Sequence, residues 1–286
     1  MSFKTRIGLT LSLMLLCTTI ATASPIERED KVITRSHESD LKVKLEFGAG
    51  TIEMGSGKSD KILDAHVVYE PRYVDFFVDY NQRGSTGILE ISGEFHGDVF
   101  DDDGIKNDWR VALTDALPME LRMEIGAAEA DIDFTDLQIT DLDMDIGAAD
   151  ARLWWDKPNA VSMKELKIDC GASSFKMDGT GNANFELLDF DGGVGSFELD
   201  FTGDWQQSAE ATFDIGLGSL EIVIPSDIGV RIRTDASFLS SVDIDRRYRE
   251  VDDDEYESDN YDDADIRLDI RISLGMGSVD VRSVRR

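Results

Sequence analysis

A ten-residue block built around glycine recurs along this chain and limits its fold more than any other feature. The copies are LEFGAGTIEM (45–54), MEIGAAEADI (123–132), MDIGAADARL (144–153), IDCGASSFKM (168–177), FDGGVGSFEL (190–199), FDIGLGSLEI (213–222) and ISLGMGSVDV (272–281). The inner five central glycines fall at 126, 147, 171, 193 and 216, with spacings of 21, 24, 22 and 23 residues. A period in that range marks stacked coils, each too small to bury its own apolar face. Within a block the alternation has period two. In MEIGAAEADIDF, Met123 and Ile125 precede the glycine, and Ala130, Ile132 and Phe134 alternate with Glu129, Asp131 and Asp133 after it. One row faces a core and an acidic row faces water. A glycine followed two positions later by a small residue fits a sharply bent strand, where neither the backbone angle nor a close neighbour leaves room for a bulky Cβ. Gly48, Gly50, Gly126, Gly147, Gly171, Gly193, Gly216 and Gly275 are therefore expected to be structural corners.

The first copy runs into GSGKS (55–59), which has the look of a phosphate-binding loop. Such a loop needs a glycine where Ile52 stands and a following helix, whereas KILDAHVVYE (61–70) reads as a strand. The chain opens with Lys4 and Arg6, an apolar run from Ile7 to about Ile20, and Ala21-Thr22-Ala23, the pattern of a secretory signal cut after Ala23. No later segment reaches the roughly 20 apolar residues of a membrane span. Removing residues 1–23 takes two basic residues, leaving 27 against 59 acidic ones, a net charge of −32. Nucleic acid is a poor partner for such a surface, because its binding is driven by lysine and arginine displacing phosphate counterions. Removal of the signal also takes Cys17 and leaves Cys170 alone, so no intramolecular disulfide is available. Cys170 shares a side with Leu166 and Ile168 and reads as a small buried residue.

These signals predict an all-β chain: a flexible leader over 24–39, an N-terminal unit of antiparallel strands over 40–118 that caps the first coil, and a stack of β-repeats over 119–286. An acidic insert at about 246–265 reads as a solvated loop. The order GAGTIEM, NDWRVALTDALPMELRMEIGAAEADIDFTDLQITDLDMDIGAADARL, then repeated G-x-[GS] strands, resembles bacterial toast-rack proteins. That family is related to the C-terminal domain of LiaF, the cell-wall-active antibiotic response protein, and to candidate adhesins of similar β-repeat type. The resemblance implies a toast-rack or β-solenoid-like fold in the bacterial cell envelope, with no catalytic activity assigned to it. LiaF-type proteins anchor the domain on transmembrane helices and restrain a stress sensor; a chain with only a signal peptide departs from them.

Catalytic residues are not apparent. His37, His66 and His96 form no spaced metal pair, and Cys170 lacks a nucleophile signature. Calcium is the more substantial chemical possibility. DVFDDDGIKND (98–108) fails as an EF-hand, since aligning Gly104 places Val99 first and Arg110 twelfth. Asp101, Asp102, Asp103 and Asp108, or Asp252, Asp253, Asp254 and Glu255, could still gather a hard cation. The neighbours Trp154 and Trp155 must point to opposite faces of a strand, which makes one of them a candidate partner contact. The expected function is an exported, non-enzymatic interaction or scaffold protein of the periplasm or cell surface, binding an envelope protein or a surface polymer, with envelope stress as the process the resemblance suggests. The alternatives are a calcium-dependent adhesin, a glycan-binding surface protein or, less favoured, a carbohydrate-active enzyme.

Overall fold

The computed structural model describes residues 26–96, 105–237 and 239–285. The repeat blocks become long strands that continue unbroken through their glycines: β2 (Asp40–Ser56), β7 (Pro118–Asp133), β10 (Met163–Asp178), β11 (Phe185–Asp200), β12 (Ala209–Pro225) and β17 (Arg267–Val284). They pair parallel and in register, so that Ala172, Val194, Leu217 and Met276 stand on successive rungs. In the third coil the strand is interrupted, giving β8 (Gln138–Ile146) and β9 (Asp150–Trp154).

Each glycine bends its strand into two legs of one continuous sheet. The inward face changes parity across the bend: Met123 and Ile125 are buried before it, Ala130 and Ile132 after it. Five residues separate Ile125 from Ala130, an odd step, so both legs keep their apolar rows on the inside. Between the legs lies one core that includes Phe175, Phe190, Phe197, Phe201 and Phe213, with ring centroids 5.2–6.3 Å apart in consecutive contacts. Turns close the third side, and buried asparagines satisfy their backbone. Asn159 Nδ2 donates to Ile139 O at 2.7 Å, and Asn182 Nδ2 donates to Trp155 O at 2.9 Å.

The N-terminal unit does pair with the first coil, but β2 is itself that coil, since it runs parallel to β7 from Leu41 to Met54. The expected antiparallel character is found in β3 (Lys61–Tyr69) with β6 (Asn107–Leu113), and in β4 (Val74–Arg83) with β5 (Thr86–Phe95). β5 and β6 themselves run parallel to β2.

Two expectations need correction. The supposed leader contains a strand, β1 (Glu27–Thr34), paired antiparallel with β3. Its charges made it read as leader, yet an edge strand is half solvated, and charge there discourages further pairing. The acidic insert is folded as well: after β13 (Gly229–Ala236) and β14 (Ser240–Ile244) come β15 (Tyr248–Asp252) and β16 (Glu255–Ser258), a hairpin whose β16 pairs with β13. The local excess of acid is answered across strands, by Arg231 on Glu257 at 2.7 Å and Arg233 on Glu255 at 3.0 Å.

Candidate functional site

The predicted corner glycines form a ladder. A Cβ on Gly126 would lie 2.1 Å from Gly48 O; on Gly171, 2.8 Å from Gly147 O; on Gly193, 2.5 Å from Gly171 O; on Gly275, 2.5 Å from Gly216 O. Each coil therefore rests on the bare backbone of the one before it. The residue two places before each glycine is Glu or Asp in six of the seven copies, and parallel pairing puts these carboxylates in one row: Glu46, Glu124, Asp145, Asp169, Asp191 and Asp214. Together the row and the ladder line a groove of about 940 Å³ along the outside of the bend.

Charge in this row is compensated unevenly. Lys44 is paired with Glu46 and stands 3.7 Å from Glu124. Arg122 reaches Glu124 and Asp145, each at 3.4 Å, and Lys167 holds Asp169 at 2.6 Å. Among the described residues no cation pairs with Asp191 or Asp214. The Lys167 hydrogen bond holds the Asp169 carboxyl below its usual range. Desolvation in the groove, followed by the hydrogen bond shared with Asp169 and repulsion from Asp189, Asp169 and Asp214, pushes Asp191 upward. Beside this uncompensated end, Val194, Leu217 and Met276 form an exposed apolar row.

The residues singled out from sequence are placed as follows. Asp101, Asp102 and Asp103 lie outside the described residues. Asp108 is paired with Lys106. Asp252 accepts the Asp253 amide at 2.9 Å, and Glu255 faces Arg231 and Arg233. Among the described residues no group of three or more ligand side chains gathers as a metal site. Trp155 is buried and stacked on Phe134 at 4.7 Å, whereas Trp154 is half-buried under Arg152 at 5.3 Å. The two indoles do take opposite faces. Trp154 borders a separate hollow of about 580 Å³ with His66, Arg110 and Arg152. His66 and His96 each contact one exposed carboxylate, Asp30 and Asp75. Cys170 is buried, which pushes its thiol up to about 12.

Sequence reasoning registered an acidic face but missed the groove. The signal was present in the repeat, as the one solvent-facing column that stays acidic while the residues around it vary.

Comparison with known families gave two matches that together span most of the chain. The family described as "N-terminal domain of toast_rack" matches residues 22–159, and that described as "Cell wall-active antibiotics response LiaF, C-terminal" matches residues 175–281. A search of curated proteins found no match. Among solved structures, a candidate cell adhesion protein from Clostridium sporogenes is 16% identical with a TM-score of 0.48, covering 91% of this chain and 100% of its own. A candidate adhesin from Bacteroides fragilis is 10% identical with a TM-score of 0.36, covering 91% and 98%.

Proposed function

The chain joins a toast-rack N-terminal domain to a LiaF-like C-terminal domain, and from that premise we propose that it is an exported, non-enzymatic interaction module of the cell envelope whose corner groove holds an extended basic segment of a partner. The observation that carries this reading is the in-register carboxylate row with its uncompensated end at Asp191 and Asp214. Five rungs separate Glu46 from Asp214, which at about 4.8 Å per rung makes the row about 24 Å long, the span of about seven extended residues at roughly 3.3 Å each. Unit charges about 4 Å apart repel by about 1 kcal/mol even in bulk water, so a row of carboxylates stores repulsion that a line of lysines or arginines relieves. A row spreads charge along a line, which suits a linear polycation better than a point ion. The exposed Val194, Leu217 and Met276 offer contact to aliphatic side chains of the same segment.

The test is fluorescence anisotropy with a labelled eight-residue peptide of alternating lysine and leucine, and with its glutamate counterpart. Binding of the lysine peptide should weaken as salt rises and in a D191N/D214N double variant. Equal binding of both peptides, or an affinity indifferent to the double variant, refutes the groove as the site.

A further inference from the structure

A further pocket, of about 470 Å³, lies where the last coil meets the β15–β16 hairpin, and its lining differs in character from the groove. Pro225, Ile228 and Val230 supply an apolar portion, while Arg247, Arg285 and Tyr248 supply polar groups. This chain has 59 acidic and 29 basic residues, so most cations should find a carboxylate. Among the described residues Arg247 and Arg285 have no ion pair. The acid nearest in sequence to Arg247 is already engaged: Asp245 Oδ1 accepts the Arg247 amide at 3.0 Å, and its Oδ2 accepts the Ser283 amide at 3.1 Å.

Tyr248 provides the second, independent sign. The residue is only 6% exposed, and its hydroxyl is sealed from solvent without a hydrogen-bond partner. The Ser283 hydroxyl is near enough to ease ionisation of the phenol but does not complete a hydrogen bond to it. A buried hydroxyl left unpaired is a net cost to the fold, and such groups call for an explanation in a ligand, a water or a functional role. The Ser226 and Ser283 side chains line the same pocket. Its volume falls within the range of small-molecule sites, which are mostly apolar with a few convergent polar groups. One acid, Asp259, is also part of the lining, and the Asp245 carboxylate stands close enough to oppose ionisation of Tyr248, so two acids offset the charge of the two arginines. That balance favours a monoanion over a dianion.

We propose that this pocket binds a small organic monoanion, a carboxylate with an apolar body, held by the guanidinium groups of Arg247 and Arg285 with the Tyr248 hydroxyl donating to it. Guanidinium groups match the planar two-oxygen geometry of a carboxylate, and Pro225, Ile228 and Val230 cover its hydrocarbon. Arg247 lies between β14 and β15, and Arg285 follows β17, so an occupant ties the insert to the end of the stack. This site shares no residue with the groove and stands or falls separately from it.

Isothermal titration of the purified protein with sodium hexanoate, at constant ionic strength, tests the proposal, with hexylammonium as the control of opposite charge. The expected result is saturable binding of hexanoate at millimolar concentration or below, weakened about tenfold or more by R247Q and by R285Q, as loss of a charge-assisted contact requires. Both arginines are exposed, so these substitutions should leave the melting midpoint of the unliganded protein in place. Y248F should weaken hexanoate while stabilising the unliganded protein, because it removes the orphaned hydroxyl; a Tyr248 with a purely structural role would leave hexanoate binding unchanged. Absence of saturable binding, equal binding of hexylammonium, or hexanoate affinity unaffected by both arginine variants overturns the proposal.

Discussion

Alanine at Gly218 should damage the stack where alanine at Gly55 should not, and the difference can be worked from the backbone alone. Gly218 has φ +148°, and a Cβ there would stand 1.9 Å from Gly195 O and 2.9 Å from Gly195 C. The obstacle is the main chain of β11, which is fixed by pairing on both sides. A side chain in that backbone region costs roughly 1–3 kcal/mol. Overpacking against an immobile neighbour adds about 1–3 kcal/mol. The restriction of the unfolded chain returns about 0.4–1 kcal/mol. The net loss is therefore about 1–6 kcal/mol, and its middle value of about 3 kcal/mol, at roughly 2–4 °C per kcal/mol for a chain of this size, lowers the melting midpoint by about 10 °C. At Gly55 the nearest atoms to an added Cβ are 3.6 and 3.7 Å away, ordinary contacts, so G55A should be neutral or stabilise by up to about 1 kcal/mol. Ala128, Ala149 and Ser173 occupy the Gly218 column in earlier coils and have no positive φ, which explains why those rungs accept a Cβ. Urea unfolding followed by far-ultraviolet circular dichroism gives both numbers. If G218A unfolds at the same urea concentration as G55A, the account of the corner is wrong.

Other substitutions separate structural from surface roles. W155A should cost about 3–5 kcal/mol in the same urea assay, as for other fully buried large side chains, and W154A less than about 1 kcal/mol; the reverse order would contradict the assignment of their faces. The raised Asp191 carboxyl disfavours the folded state as pH climbs through its folded value, so D191N should stabilise the protein at neutral pH and gain nothing well below the ordinary aspartate range. Melting curves at pH 3 and pH 7 test that sign. Asp169 has the opposite sense: its contribution is in place above the unfolded value and is lost as pH falls through the depressed folded one, so D169N should destabilise at pH 7. Deleting 250–265 removes β16 from the edge of β13 and should lower the unfolding midpoint, an effect that a mere solvated loop would not produce.

The stack was legible because its signal repeats. Seven glycine blocks share one register, and the columns read from them, such as Ile125, Ile146 and Cys170 before the glycine, are the columns buried in the structure. Where a segment occurs once, the reading failed. In EREDKVIT (27–34) the charges hid an edge strand, and the acidic run after Tyr248 hid a hairpin whose countercharges, Arg231 and Arg233, lie more than 20 residues away in sequence. The groove stayed hidden for a different reason. Each acidic residue is unremarkable in its own block, and only parallel pairing converts a favoured residue type into a continuous line of charge.

The corner ladder also turns coil number into a measure of length. Because each coil adds one rung against the exposed backbone of the last, inserting or losing a whole coil would lengthen or shorten the carboxylate row by a single step without redesigning any contact. The number of charges presented to a partner then becomes a count of repeats, and a chain of this kind could change its binding valence by duplication alone, with the glycine at each new corner as the one residue that duplication must carry intact.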